Sequence, residues 1–139
     1  GRLTAWSATG DGRFFITLSG VIRFRVTQEL KTSSPYREVE PDFAPYAGDL
    51  RDDDDDNYVD RKRLGIGLKS YMAQKQIEAD LSLIDRAPAE TLINSLSMIC
   101  PFAPAEKQAL LEAGTLADRA QLLTTLIEMA ATGHGGTLQ

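Results

Sequence analysis

The chain has 139 residues, 42% of them hydrophobic and 25% charged, with a formal net charge of -5 and a pI near 4.8. That size supports one domain with a real core, and the composition excludes fibrous and disordered classes. The acidic balance speaks against a general nucleic-acid binder, which needs a concentrated positive surface, and no stretch approaches the ~20 apolar residues that span a bilayer.

The opening "GRLTAWSATG" lacks the charged and apolar regions of a signal peptide. It has no initiator methionine and leads straight into a strand pattern, so the expectation is a β lobe whose first part lies upstream. Leu3 to Ser7 is predicted to pair with Arg13 to Ser19 across "TGDG", Thr9 to Gly12, which supplies the positive backbone angles of a tight hairpin. Phe14, Ile16 and Leu18 alternate with Arg13, Phe15, Thr17 and Ser19, and Ile22, Phe24 and Val26 alternate with Arg23 and Arg25. Period two predicts half-buried strands, with Arg23 and Arg25 at exposed positions. "YREVEPDF", bracketed by Pro35 and Pro41, reads as an edge strand. An unpaired edge on the first hairpin is expected to be covered by a partner chain or by self-association with a second copy.

"RDDDDDNYVD", Arg51 to Asp60, has neither the glycine nor the closing glutamate of a calcium loop. Neighbouring aspartates about 6 Å apart repel by roughly 0.7 kcal/mol per pair in water, so the run reads as a solvated loop between sheet and helices. Asn57 to Leu83 is predicted helical, with Leu64, Leu68, Tyr71 and Met72 on one side, although Gly65 and Gly67 each weaken it by about 1 kcal/mol. "GIGLKS", Gly65 to Ser70, echoes a phosphate-binding loop, but Leu68 stands where glycine must precede the lysine, so it reads as helix.

"APAETLINSLSMIC" predicts a helix with Pro88 in its first turn and Leu92, Ile93, Leu96 and Ile99 on one face. A second begins at Pro104 and stops at Gly114, with Ala109, Leu110 and Ala113 inward and Glu106, Lys107 and Glu112 toward solvent. "TLAD" fits a capping box on Thr115 for a last helix carrying Leu116, Ala120, Leu123, Ile127 and Ala130, its stripe widened by Leu122, Leu126 and Met129. The organisation read from these patterns is a partial β-rich lobe over 1–50, an acidic loop over 51–60, a helical lobe over 61–131 and a flexible tail over 132–139.

Chemistry is sparse. The lone Cys100 cannot form an internal disulfide, which predicts a reducing, cytoplasmic setting, and it reads as a small core residue at a helix end. The single histidine, His134, lies in the glycine-rich tail, so no nucleophile and base can be paired. The expectation is no enzyme, no catalytic residues, no metal and no cofactor.

"DGRFFITLSGVIRFRV", "PYREVEPDF" and above all "EKQALLEAGTLADRAQLL" resemble the amino-terminal substrate-binding domain of Lon proteases, especially the small stand-alone bacterial proteins built from that domain alone. The resemblance runs from Gly1 to about Ala130. It implies an α+β fold, an antiparallel PUA-like β lobe followed by a helical bundle, and it implies further strands upstream of Gly1. Lon's ATPase and peptidase domains have no counterpart here, so ATP-dependent proteolysis is not carried over.

The function this implies is a non-catalytic module recognising unfolded or extended polypeptide, with a protease system among its expected partners. Phe43 and Tyr46, in "PDFAPYAGDL", are the candidate polypeptide contacts, set against simple packing of their loop. The alternative is a small-molecule-sensing PUA-like domain, as in the related cereblon domain, although Trp6 has no second tryptophan to complete an aromatic cage.

Overall fold

The computed structural model describes residues 1–51, 59–76 and 83–133. The chain divides into two compact units, Gly1–Asp52 and Asp53–Gln139. Antiparallel strands fill the first and helices the second, the α+β arrangement expected. The aspartate run and His134 fall outside the described residues.

In the first unit, β1 (Arg2–Ala8) pairs antiparallel with β2 (Phe14–Ser19). Their turn closes as predicted. Gly12 takes φ +82°, the Thr9 amide donates to the Arg13 carbonyl at 2.8 Å, and the Thr9 hydroxyl donates to the Asp11 carboxylate. β3 (Arg25–Leu30) pairs with β4 (Glu38–Asp42) in a separate two-stranded sheet. Pro41 does not bound β4 but lies inside it, opposite Val26 and next to an irregularity before Gln28, a position where a missing amide hydrogen is tolerated. Two short 3-10 turns follow from Ala44 to Leu50, broken at Tyr46.

The expectation of half-buried strands fails in this unit. Every residue of β1, β2 and β3 is exposed, and among the described residues the buried apolar core lies between Val59 and Ile127. Alternation placed Phe14, Ile16 and Leu18 together on one face of β2, but among the described residues no second layer covers a face of the two-stranded sheet.

The second unit is a helical bundle built on α5 (Leu116–Ala131), which packs against α1 (Arg61–Lys75), α3 (Ala89–Ile99) and α4 (Pro104–Glu112). The short α2 (Leu83–Arg86) lies between α1 and α3 in the chain. α1 starts at Asp60, whose carboxylate accepts from the Arg63 amide at 2.9 Å, and stops at Gln76, which takes the left-handed φ of 56°. Leu64, Leu68, Tyr71 and Met72 are buried together, as the spacing predicted. The Thr115 capping box forms, with its hydroxyl accepting from the Asp118 amide and its own amide donating to the Asp118 carboxylate, both at 3.1 Å.

Leu123 and Ile127 are fully buried in the bundle's centre. Two inward assignments are corrected: Ile99, the last residue of α3, is 76% exposed, and Ala109 is exposed while Leu110 alone is buried on α4. Gly67 marks the closest approach of α1 to α5, since a Cβ there would sit 3.3 Å from Ile127 Cγ2.

Candidate functional site

The register of the first hairpin makes one face wholly apolar. Leu3 stands opposite Leu18, Trp6 opposite Ile16 and Ala8 opposite Phe14. Residues 3 and 6 of a regular strand point to opposite faces, but the register shift between Leu3 and Ala5 inserts an extra residue and returns Leu3 to the side of Trp6. Thr4, within that irregularity, donates its hydroxyl to the Thr17 carbonyl at 3.2 Å.

The other face carries Arg2, Ala5, Ser7, Phe15, Thr17 and Ser19. No charged residue therefore stands among Leu3, Trp6, Ala8, Phe14, Ile16 and Leu18. The large members of the set are 53 to 66% exposed, and Trp6 and Phe14 contact each other with ring centroids 5.7 Å apart. Such a face presents on the order of 500 Å² of apolar surface, toward the top of what monomeric proteins leave uncovered.

The sequence pattern placed Phe14, Ile16 and Leu18 on one face but expected that face to be partly covered, and it assigned no face to Leu3, Trp6 or Ala8. It looked instead to Phe43 and Tyr46 for contacts. Phe43 is 45% exposed and meets Phe24 edge-on at 5.8 Å. Tyr46 is half-buried, with the Arg23 guanidinium 4.4 Å from its ring centroid.

Arg23 is corrected from an exposed strand position. It precedes β3, its side chain is 14% exposed, and it grips Asp49 through Nε at 2.8 Å and Nη2 at 2.7 Å, with its backbone amide adding a bond at 3.0 Å. The hydrogen bond to Asp49 holds the guanidinium still more firmly protonated. Tyr46 and Asp49 are thus anchored by Arg23, and Phe43 is the more accessible ring of the loop.

The described residues of the second unit offer little reactive chemistry. Burial pushes the Cys100 thiol up, away from thiolate, and Lys107 opposes this only in part. A cleft of about 410 Å³ between α1 and α5 is lined by Lys62, Ile66 and Ser70 and is crossed by an ion pair. There Arg63 meets Glu128 through two bonds of 2.7 Å. Among the described residues no group of three or more His, Cys, Asp or Glu is placed to hold a metal ion, and no helix is long and apolar enough to cross a membrane.

No curated protein and no solved structure matches the chain. The family model for the ATP-dependent protease La (LON) substrate-binding domain matches residues 1–129, spanning the strands, the apolar face and nearly all of the helical bundle. The chain therefore belongs to the ATP-dependent protease La (LON) substrate-binding domain family.

Proposed function

We propose that this chain is a non-catalytic binding module for unfolded or extended polypeptide, acting in the cytoplasm, with the apolar face of the β1–β2 hairpin as its principal contact surface. The observation that carries the reading is that face: large apolar side chains without a charge among them, held in one register and open to solvent. Membership of a substrate-binding family supports the same role.

The mechanism joins two familiar contributions. An extended chain added along β2 exchanges main-chain hydrogen bonds with that edge, while every second side chain of the client reaches the apolar face. The irregularity near Thr4 disturbs the β1 ladder, which makes β2 the better edge. Each Leu, Ile or Phe side chain the client buries contributes about 1.5 to 3 kcal/mol before ordering costs, so binding is expected in the micromolar range and selects for apolar content over exact sequence.

Phe43, set edge-on against Phe24, adds a second contact for longer clients, and Tyr46 positions that loop beneath Arg23. The β unit serves as a PUA-like lobe in this account. Trp6 meets one ring, Phe14, on an open face, which supports a polypeptide surface over a small-molecule cage.

The test is fluorescence anisotropy with one labelled protein offered in its native form and in a permanently unfolded form. Saturable binding of the unfolded form alone, weakened at least about 30-fold by Ile16→Lys, is expected. Equal binding of both forms, or unfolded-form binding that Ile16→Lys leaves unchanged, would overturn the reading.

A further inference from the structure

We infer that the cleft between α1 and α5 binds a small zwitterion of about dipeptide size with an apolar body, its carboxylate paired with Lys62 and its ammonium held between Ser70 and the end of α5. The residues that line the cleft all belong to the helical unit, so the site is separate from the hairpin face proposed for polypeptide.

At about 410 Å³ the cleft falls within the size range of small-molecule sites. Part of its wall is apolar: Gly67 contributes no side chain, Ala131 only a methyl group, and Ile66 is 62% exposed. A large apolar side chain left open in a concave wall gives an apolar ligand body something to bury against.

Charge selects the class of ligand. Asp60, Lys62, Arg63 and Glu128 line the cleft, two carboxylates and two cations, so the lining is neutral and suits a ligand that carries both signs. Arg63 and Glu128 are spent on each other through two bonds of 2.7 Å, and the Asp60 carboxylate accepts from the Arg63 amide at 2.9 Å. Lys62 is exposed and has no hydrogen bond or ion pair among the described residues, which leaves its ammonium open to a carboxylate.

The other end of the cleft has the opposite character. The Ser70 hydroxyl donates to the Ile66 carbonyl at 3.2 Å, so its oxygen remains to accept. Thr132 caps α5 at its carboxyl end, where the helix dipole is negative, and the last turn of α5 carries no basic residue. An ammonium placed there meets an acceptor and a favourable field.

Length sets the size of the ligand. Lys62 and Ser70 stand eight positions apart on α1, about 12 Å along the helix axis. The ammonium and carboxylate of an extended dipeptide lie about 6 to 7 Å apart, and a hydrogen bond of about 3 Å at each end makes up the distance. A single amino acid falls short of it.

The experiment is a titration of the isotope-labelled full chain with leucyl-leucine, followed through its backbone amide resonances. Saturable shifts of the Ile66, Gly67 and Ser70 amides are expected, with a Kd on the order of 1 mM for so open a cleft. Lys62→Ala should weaken binding at least about 10-fold, and leucyl-leucine amide, which lacks the carboxylate, should bind wild type and Lys62→Ala alike. Acetyl-leucyl-leucine, which lacks the ammonium, should bind wild type at least about 10-fold more weakly, and Ser70→Ala should narrow that difference. Both substituted residues are exposed, so circular dichroism should match wild type.

No shift at these amides up to about 20 mM dipeptide overturns the inference. So does binding that Lys62→Ala leaves unchanged, or equal affinity for leucyl-leucine and its amide. Shifts confined to the β1–β2 hairpin would assign the dipeptide to the polypeptide face, overturning this inference while supporting the functional reading. Cleft binding by a chain that ignores unfolded polypeptide defeats only that reading.

Discussion

Gly65 and Gly67 lie two residues apart in α1, yet the same substitution should act on them with different results. Alanine is favoured over glycine inside a helix by about 0.8 to 1.0 kcal/mol, because glycine loses more backbone freedom on folding. At Gly65 the new methyl meets only Ile84 Cδ1 at 3.9 Å, an ordinary contact, so Gly65→Ala should stabilise the helical unit by about 1 kcal/mol.

At Gly67 the methyl arrives 3.3 Å from Ile127 Cγ2 and 3.5 Å from Glu128 Cγ. Ile127 is fully buried and β-branched, so its side chain has one strongly preferred rotamer and little room to retreat. The Glu128 carboxylate is tied to Arg63. Overpacking by a methyl group costs about 1 to 3 kcal/mol, which cancels or exceeds the helix gain. Gly67→Ala should therefore be neutral to destabilising, at least about 1 kcal/mol below Gly65→Ala. Urea unfolding followed by circular dichroism at the helix band reads the difference. A Gly67→Ala protein stabilised as much as Gly65→Ala would refute the close approach of α1 to α5.

Three other outcomes follow from the helical unit. The Arg63 hydrogen bonds hold the Glu128 carboxyl below its ordinary value of 4.5, so the pair's contribution is fully present above about that pH and is lost as pH falls through the lowered value. The stability difference between wild type and Glu128→Gln, measured by urea unfolding, should hold from neutral pH down to that point and then shrink; a constant difference at more acid pH would contradict the pairing. Cys100 is buried with its thiol pushed up, so a thiol reagent at neutral pH should label it only as fast as the unit opens, and rapid native labelling would contradict its placement. Arg119 donates to the Leu110 carbonyl at 2.9 Å and to Asn94 Oδ1 at 2.6 Å, tying α5 to α4 and α3. Arg119→Met should cost about 2 kcal/mol in the same unfolding assay, and a loss under about 0.5 would show that these bonds carry little.

The helices of the second half were largely legible because their signals are local, Pro104 in the first turn of α4 and Thr115 with Asp118 at the start of α5, whereas α1 spans Arg61–Lys75 where the pattern predicted Asn57 to Leu83, its capping Asp60 having gone unread. The face of β2 was legible for the same reason, since period two is local. What covers a face is not local, and Phe14, Ile16 and Leu18 read as half-buried although nothing among the described residues lies over them. The irregularity that returns Leu3 to the side of Trp6 leaves no mark in an alternation pattern. Arg23 read as a surface charge because its partner, Asp49, stands 26 residues away. Ile99 fitted the helical stripe of α3, but the helix ends there as Cys100 turns extended at ψ 131°, and the side chain is left outside.

The central claim is that the apolar face of the first hairpin holds extended polypeptide, and Trp6 stands on that face as a built-in reporter. The most direct measurement is a Trp6 emission titration, at a concentration where the chain is monomeric, with a tryptophan-free, apolar, extended peptide. The account predicts a saturable blue shift that Ile16→Lys abolishes and that Lys62→Ala, on α1 of the helical unit, leaves alone. Saturable peptide binding with no change in Trp6 emission, or a shift that survives Ile16→Lys, would place the binding surface elsewhere and contradict it.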